Sequence, residues 1–358
     1  MTDAVTVFSC GTAASRADLE TIAHTHDLTR SRKWINDGPG SHLAPPKVEA
    51  ILKRVEAGKG VPERMFAAHH RADGLGGKLF GTGTQDNIVL SLQWLWEEYY
   101  RQPFGTVNLA GWSRGAVTSI MLAHAIQEAG FGSRGVRVNV FAIDPVPGLA
   151  NDFHLAGTFD ATGRIGDPKQ LPAIVCQYEA VLMENVSGWL GLKPYLFQPI
   201  SPGTAGTATT RVEYPLPGSH SDCVHYNDPD NPVGRIVIHL LHEHLVRNGT
   251  ELGGRHMLSR QGLLELYADT RLEFARFTGN RFVKLPAQRV RARLVTNRFR
   301  REAFFVNGHH DTLFRAAFPG IWSQLERRQP LSETMVATLD RDCPRTLFAL
   351  QATGALSD

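Results

Sequence analysis

The chain has 358 residues, 42% hydrophobic and 20% charged, with 38 Lys+Arg against 35 Asp+Glu for a formal net charge of +3. That composition belongs to a globular protein and excludes a disordered or fibrous one. The near-neutral balance gives no argument for a nucleic-acid partner. Four cysteines, Cys10, Cys176, Cys223 and Cys343, stand far apart with no Cys-x-x-Cys pair, so they read as reduced thiols that folding does not need as disulfides. The start MTDAVTVFSCG lacks a positive segment followed by a long apolar core, and no apolar run reaches membrane-spanning length. The expectation is a protein made soluble in the cytoplasm of the producing cell, without a cleaved signal.

In chain order, Ala4 to Ser9 is a β-branched run that reads as a first strand, ended by Cys10-Gly11-Thr12. Ala17 to Ala23 reads as a helix and Lys33 to Asn36 as a second strand, stopped by Asp37-Gly38-Pro39-Gly40. Pro46 to Ala57 reads as a helix, with Pro at its start and Gly58 at its end. Asp73 to Gly83 is a glycine-rich loop; its Gly74-Leu75-Gly76-Gly77 lacks the Gly-Lys-Ser/Thr of a phosphate loop. Asn87 to Tyr100 is a strong helix, with Ile88, Leu92, Trp96 and Tyr99 on one side. Val107 and Leu109 mark a buried strand, Ala116 to Ala129 the helix after it, and Val136 to Ile143 a further strand closed by Asp144-Pro145. Strands separated by helices predict a mostly parallel sheet with crossover connections.

From Pro147 to Pro217 the pattern breaks up, with short strands read at Ala173 to Cys176 and Arg211 to Tyr214. The stretch reads as a cap insertion, and Trp189, Leu190, Leu192, Tyr195, Leu196 and Phe197 concentrate apolar surface in it. After Pro232 the chain is mostly helical. The arginines at 289, 291, 293, 298, 300 and 301 read as a solvated helix face. The predicted layout is a catalytic domain over 1–248, with the cap over about 147–217, and a helical region over 249–358.

Between the third predicted strand and its helix lies Gly111-Trp112-Ser113-Arg114-Gly115, the Gly-x-Ser-x-Gly pattern of a nucleophile elbow. A sharp strand-to-helix turn strains the serine backbone and exposes its hydroxyl, and side chains at the flanking glycines would collide with strand or helix. A serine hydroxyl needs a base, and the base needs a carboxylate to fix its tautomer. The chain order Ser, acid, His selects Asp144 at the end of its strand and His220 in the loop Pro217-Gly218-Ser219-His220-Ser221-Asp222. Asp222 is a rival acid and His309-His310-Asp311 a rival base. The oxyanion hole would combine the amide of Arg114 with one from Gly11 or Thr12. His239, His242 and His244 with Glu243 lack the His-Glu-x-x-His spacing, so they read as a surface helix, and neither metal nor cofactor is expected.

GWSRGA is similar to the Gly-Phe-Ser-Arg-Gly-Ala elbow of the type VI secretion phospholipase effectors and their uncharacterised hydrolase relatives. The Cys10-Gly11-Thr12 turn, the Gly81-Thr82-Gly83-Thr84 segment before the helix leading to the elbow, Asp144, and Pro217 to Asp222 resemble the same family over roughly residues 4 to 245. The segment Asp222-Cys223-Val224-His225 departs from the family's Asp-Val-Gly-Gly. The resemblance implies an α/β-hydrolase-like fold and a Ser113, Asp144, His220 triad. It implies lipase-type activity on a phospholipid or other lipid ester, with transient membrane contact. It also implies export by a contact-dependent secretion system as an antibacterial or host-directed toxin, with a secretion or immunity partner protein. A small-ester or thioester hydrolase with the same triad, and a binding module with a dead elbow, are the alternatives.

Overall fold

In a computed structural model, the structure describes residues 3–41 (except 13, 19 and 40), 84–147, 168–184, 199–204, 208–279 and 304–356. The elements that frame the sheet are β1 (Ala4–Ser9), α1 (Thr21–Leu28), β2 (Lys33–Asn36), α2 (Thr84–Arg101), β3 (Thr106–Trp112), α3 (Arg114–Glu128) and β4 (Arg137–Ile143). They are followed by β5 (Gln170–Leu171), β6 (Val175–Met183), β7 (Gly203–Thr204) and β8 (Thr210–Leu216). Five longer helices complete the described chain: α4 (Pro232–Arg247), α5 (Arg260–Gly279), α6 (Gly308–Ala317), α8 (Glu333–Asp342) and α9 (Pro344–Ala352), with the short α7 (Pro319–Glu326) among them.

Six strands form one sheet in the order β2-β1-β3-β4-β6-β8, and β5 pairs with β7 separately. β1 is parallel to both β2 and β3, and β3 to β4. β6 and β8 start together, where Thr209 Oγ1 donates to Val175 O (2.8 Å), and end together, where Glu184 N–H donates to Leu216 O (2.9 Å). The sheet is therefore mostly parallel, and with flanking helices the architecture is α/β-hydrolase-like.

The central strands explain their own position. AVTVFS in β1 is buried at every residue, and VNVFAI in β4 likewise, because helices cover both faces of a parallel sheet. The polar residues among them are paired. Asn139 Nδ2 donates to Asn108 Oδ1 (2.9 Å), Asn108 Nδ2 donates to Thr250 Oγ1 (2.9 Å), and the Thr250 and Thr6 hydroxyls bond each other (2.8 Å). Such a ladder stays inside the sheet because each member is satisfied.

Two elements differ most in their bounds from expectation. Helix α1 begins at Thr21 rather than near Ala17, because the Asp18 carboxylate accepts the Ser15 N–H (2.5 Å) and hydroxyl (3.1 Å) and ties residues 15–18 into a turn. The short strand read at Ala173 to Cys176 is the start of the nine-residue β6, buried over its last six residues. Its Gly/Pro/Thr-rich flanks disguised a buried run. The predicted helix at Pro46 to Ala57, the Asp73–Gly83 loop up to Gly83, the 185–198 aromatic segment and the arginine tract lie outside the described residues.

The chain forms two compact units. The first holds the described residues of Met1–Ala180, Leu190–Glu213 and Leu241–Arg255, and with them β1 to β5, β7 and the starts of β6 and β8. The second holds those of Val181–Trp189, Tyr214–Leu240 and His256–Asp358. Its core includes Leu264, Phe314, Leu339, Leu347 and Leu350 from the helices and Phe304 from the segment before α6. Asn307 caps α6 by accepting the His310 N–H (2.9 Å), and its own Nδ2 donates to Pro215 O (3.0 Å). Glu265 caps α9, accepting the N–H groups of Arg345 (3.0 Å) and Thr346 (3.1 Å). Among the described helices none is long and apolar enough to cross a membrane.

Candidate functional site

Ser113 stands between the last residue of β3 and the first of α3, with φ 56° and ψ −124°. An L-residue there is strained by about 1–3 kcal/mol and persists only when its surroundings impose it. The surroundings do so from both sides. A Cβ on Gly111 would lie 2.5 Å from the Gly115 carbonyl carbon and 2.6 Å from Ala116 N. One on Gly115 would meet the backbone of Ser9 and Cys10. The helix can therefore fold back tightly on the strand ends only with glycine at both positions. Ser113 is 4% exposed, and its N–H extends the β3–β4 ladder to Ile143 O (2.9 Å) while its carbonyl accepts Ala116 N–H (3.1 Å) to open α3.

Register then determines what lies beside the serine. Trp112 pairs with Ile143, so Ser113 and Asp144 are the residues immediately beyond one strand pair. Asp144 is fully buried and also has positive φ, 42°. Two non-glycine residues at adjacent strand ends both hold a conformation that L-residues avoid, a concentration of strain seen at functional sites.

The oxyanion candidates lie in the same unit. Ser9 pairs with Gly111, so Cys10-Gly11-Thr12 leaves β1 alongside the elbow. A Cβ on Gly11 would press on the Trp112 indole, 2.7 Å from Cζ3 and 2.8 Å from Cδ2. Gly11 O accepts the Ala14 N–H (3.0 Å), which turns the loop, and Thr12 Oγ1 is buried without a hydrogen-bond partner among the described residues. Arg114 is the first residue of α3. Burial lowers its guanidinium to about 10, which leaves it charged at neutral pH.

His220 belongs to the second unit, in the loop leaving β8. That loop is closely wired. Asp222 Oδ2 accepts the Ser219 N–H (2.6 Å), Cys223 Sγ donates to His220 O (2.9 Å), and Asn231 Nδ2 donates to Asp222 O (2.7 Å). Gly218 has φ 133°, and a Cβ there would lie 2.8 Å from Met183 Cε. Asp222 thus spends an oxygen on its own loop's backbone, the work of a turn residue.

The other histidines have structural surroundings. His310 is fully buried, stacks on Tyr267 (4.8 Å, 8°) and accepts the Val306 N–H at Nδ1 (3.2 Å). Burial, with His309 beside it, pushes it down to about 3, so the ring stays neutral. The helix carrying His239, His242 and His244 is not the surface helix expected: all three are buried. They also diverge, His239 Nδ1 accepting the Leu258 N–H (3.0 Å) and His242 Nε2 bonding the Thr25 hydroxyl (3.1 Å). Among the described residues no group of His, Cys, Asp and Glu is arranged to hold a metal.

One residue escaped the sequence reading. Glu184, directly after β6, has a buried Oε2 with no hydrogen-bond partner among the described residues, and burial pushes its carboxyl up to about 8. The available signal was an acid ending the apolar run Ala180-Val181-Leu182-Met183.

No family model matches the chain, and no curated protein matches it by sequence. Among solved structures, it is similar to the Tle1 effector bound to the VgrG spike of the type 6 secretion system, at 14% identity and TM-score 0.28, over 62% of this chain and half of that one. It is also similar to the NocB thioesterase domain of the nocardicin cluster, at 12% identity and TM-score 0.32, over 69% of this chain and 94% of that one. A third likeness is to the Vlm2 thioesterase domain, at 10% identity and TM-score 0.29, over 62% of this chain and 87% of that one.

Proposed function

We propose that the chain is a serine hydrolase that cleaves a lipid ester, a phospholipid by preference, with Ser113 as nucleophile, His220 as base and Asp144 as acid. The strained backbone of Ser113, held between Gly111 and Gly115, carries the reading, because a turn with no chemistry to perform has no use for that conformation. In this reading Ser113 Oγ attacks the acyl carbonyl and His220 takes its proton, with Asp144 keeping the imidazole in the productive tautomer. The amides of Arg114 and of the Gly11-Thr12 turn receive the oxyanion. His220 then protonates the leaving alcohol, and water, activated by the same base, releases the acyl group.

The lipid substrate rests on the family resemblance of the GWSRGA and Pro217–Asp222 motifs and on the apolar segment from Trp189 to Phe197. The same resemblance supports delivery by a contact-dependent secretion system and an immunity or secretion partner. The test is lipid analysis of phospholipid vesicles incubated with wild type and with Ser113→Ala, beside labelling by a fluorophosphonate. Lyso-lipid and free fatty acid that need Ser113 are the expected result. Labelling of Ser113 with turnover of short esters or thioesters alone would make the protein a small-ester enzyme. Absence of labelling and of turnover would make it a binding module.

A further inference from the structure

The parallel strands β2, β1 and β3 end level with one another, Asn36 opposite Ser9 and Ser9 opposite Gly111. The chain that leaves β1 at Cys10 therefore runs between Asp37, just beyond β2, and the elbow, just beyond β3. On the elbow side it is in close contact. A Cβ on Gly11 would meet the Trp112 indole, and one on Gly115 the carbonyls of Ser9 and Cys10. On the β2 side it is tied by hydrogen bonds, Cys10 N–H to Asn36 O (3.0 Å) and Gly38 N–H to Ala14 O (2.8 Å). Gly38 comes so near that a Cβ there would lie 2.5 Å from the Gly11 carbonyl carbon.

The Asp37 carboxylate adds the strongest tie. Its Oδ1 accepts the Arg16 backbone N–H (2.8 Å) and Nε (3.2 Å), and its Oδ2 accepts Arg16 Nη2 (2.9 Å). Nη2 also donates to Ile35 O within β2 (3.2 Å), and Asn87 Nδ2 of α2 donates to Asp37 O (2.9 Å). A guanidinium–carboxylate fork fixes orientation as well as distance. The Asp37 side chain is 8% exposed, so salt and water screen the pair less than a surface pair. The Ser15–Asp18 turn already closes the segment locally; what the fork adds is its link to β2.

We propose that Arg16 and Asp37 are positioning residues for the oxyanion hole: their fork clamps the loop from Cys10 to Arg16 to the end of β2, and so fixes the height of the Gly11-Thr12 amides over Ser113. The inference rests on the serine reading above, and neither residue gives or takes a proton. A donor held in place before charge develops stabilises an oxyanion most, and a displacement of about 1 Å forfeits much of that.

The test uses the full chain, a short soluble ester, a trifluoromethyl ketone of the same acyl chain, and thermal melts. Ser113 Oγ adds to the ketone carbon, its proton passes to His220, and the carbonyl electron pair becomes an oxyanion that the loop must receive. Asp37→Ala should lower kcat about tenfold to a hundredfold with KM within about threefold, and weaken the ketone in the same proportion. Asp37→Asn keeps an acceptor for the Arg16 N–H and should fall between Asp37→Ala and wild type. Arg16→Ala combined with Asp37→Ala should cost no more than Asp37→Ala alone, because partners in one unit lose their effect once. A lower Tm with unchanged kcat and ketone affinity marks a purely structural pair and overturns the proposal. Additive losses overturn it too, as does a fall in kcat that leaves the ketone's affinity unchanged. If Asp37→Ala does not fold, Arg16→Lys decides by the same measurements, since it keeps the charge and loses the fork. Activity that survives Ser113→Ala overturns the serine reading and this inference together. Activity that needs Ser113 but ignores both members of the fork overturns this inference alone.

Discussion

The elbow and the His220 loop are built in opposite ways. The elbow is local: residues 106–128 contain the strand, the turn, both glycines and the helix, and long-range packing enters where Gly115 meets the end of β1. The His220 loop is assembled from a distance. Met183 at the end of β6 lies against Gly218, Glu184 just beyond it donates its N–H to Leu216 O, Asn231 ties Asp222, and Asn307 holds the carbonyl of Pro215 in the strand that leads into it. A strained turn that one short segment can impose leaves a readable motif. A loop held by residues nearly a hundred positions apart leaves only a histidine among fifteen.

On the proposed serine mechanism, the largest effects should come from Ser113 and His220. Ser113→Ala and His220→Ala should each lower kcat by about a millionfold with the fold intact, as losses of triad members do. His310→Ala should instead lower stability and leave turnover of the folded protein near wild type, since His310 bonds Val306 and stacks on Tyr267. The opposite ranking of the two histidines, read by kinetics and melts together, would transfer the base to the helical unit's core and end the comparison drawn above.

Next come the acids. Asp144→Asn should cost about a thousandfold or more in kcat, through the wrong imidazole tautomer. Asp222→Asn should be mild, because the amide oxygen can still accept the Ser219 N–H. Should Asp222→Asn prove the more damaging, the acid lies in the His220 loop and the strain at Asp144 serves another purpose.

A smaller, pH-dependent effect separates the units. In the second, His310 titrates near 3 when folded and near its ordinary 6.5 when unfolded. Between those values the unfolded chain binds the extra proton, so this contribution is complete above 6.5 and is lost as pH falls toward 3. In the first, burial raises Glu20 to about 8 from an ordinary 4.5. Its contribution is complete below 4.5 and is lost as pH rises toward 8. Tm against pH should show Glu20→Gln gaining most over wild type near pH 8, and His310→Gln losing its acid sensitivity between 6.5 and 3. Parallel curves for either variant would show that the group does not set the slope.

The smallest change expected is Asn307→Ala. It removes the α6 cap and the bond to Pro215 and should lower stability by about 1 kcal/mol. A fall in kcat well beyond the fall in stability would show that the helices steer the His220 loop more firmly than one hydrogen bond implies.

Much of the fold was legible without coordinates. β1 and β2 appear with their expected bounds and β4 within one residue of them, because buried parallel strands are β-branched runs bounded by Gly, Asp and Pro. The elbow was legible because Gly111, Ser113 and Gly115 answer to a steric demand inside one turn. The length of β6, the burial of the α4 histidines and the buried Glu184 Oε2, without a partner among the described residues, were not. Period and composition report how one segment prefers to fold, whereas burial depends on which distant segments cover it. The sequence by itself therefore determined the sheet's centre, the serine between two glycines and the aspartate that ends the neighbouring strand. Only the tertiary structure decided which histidines and carboxylates lose their water, and with it which titratable groups are available for chemistry.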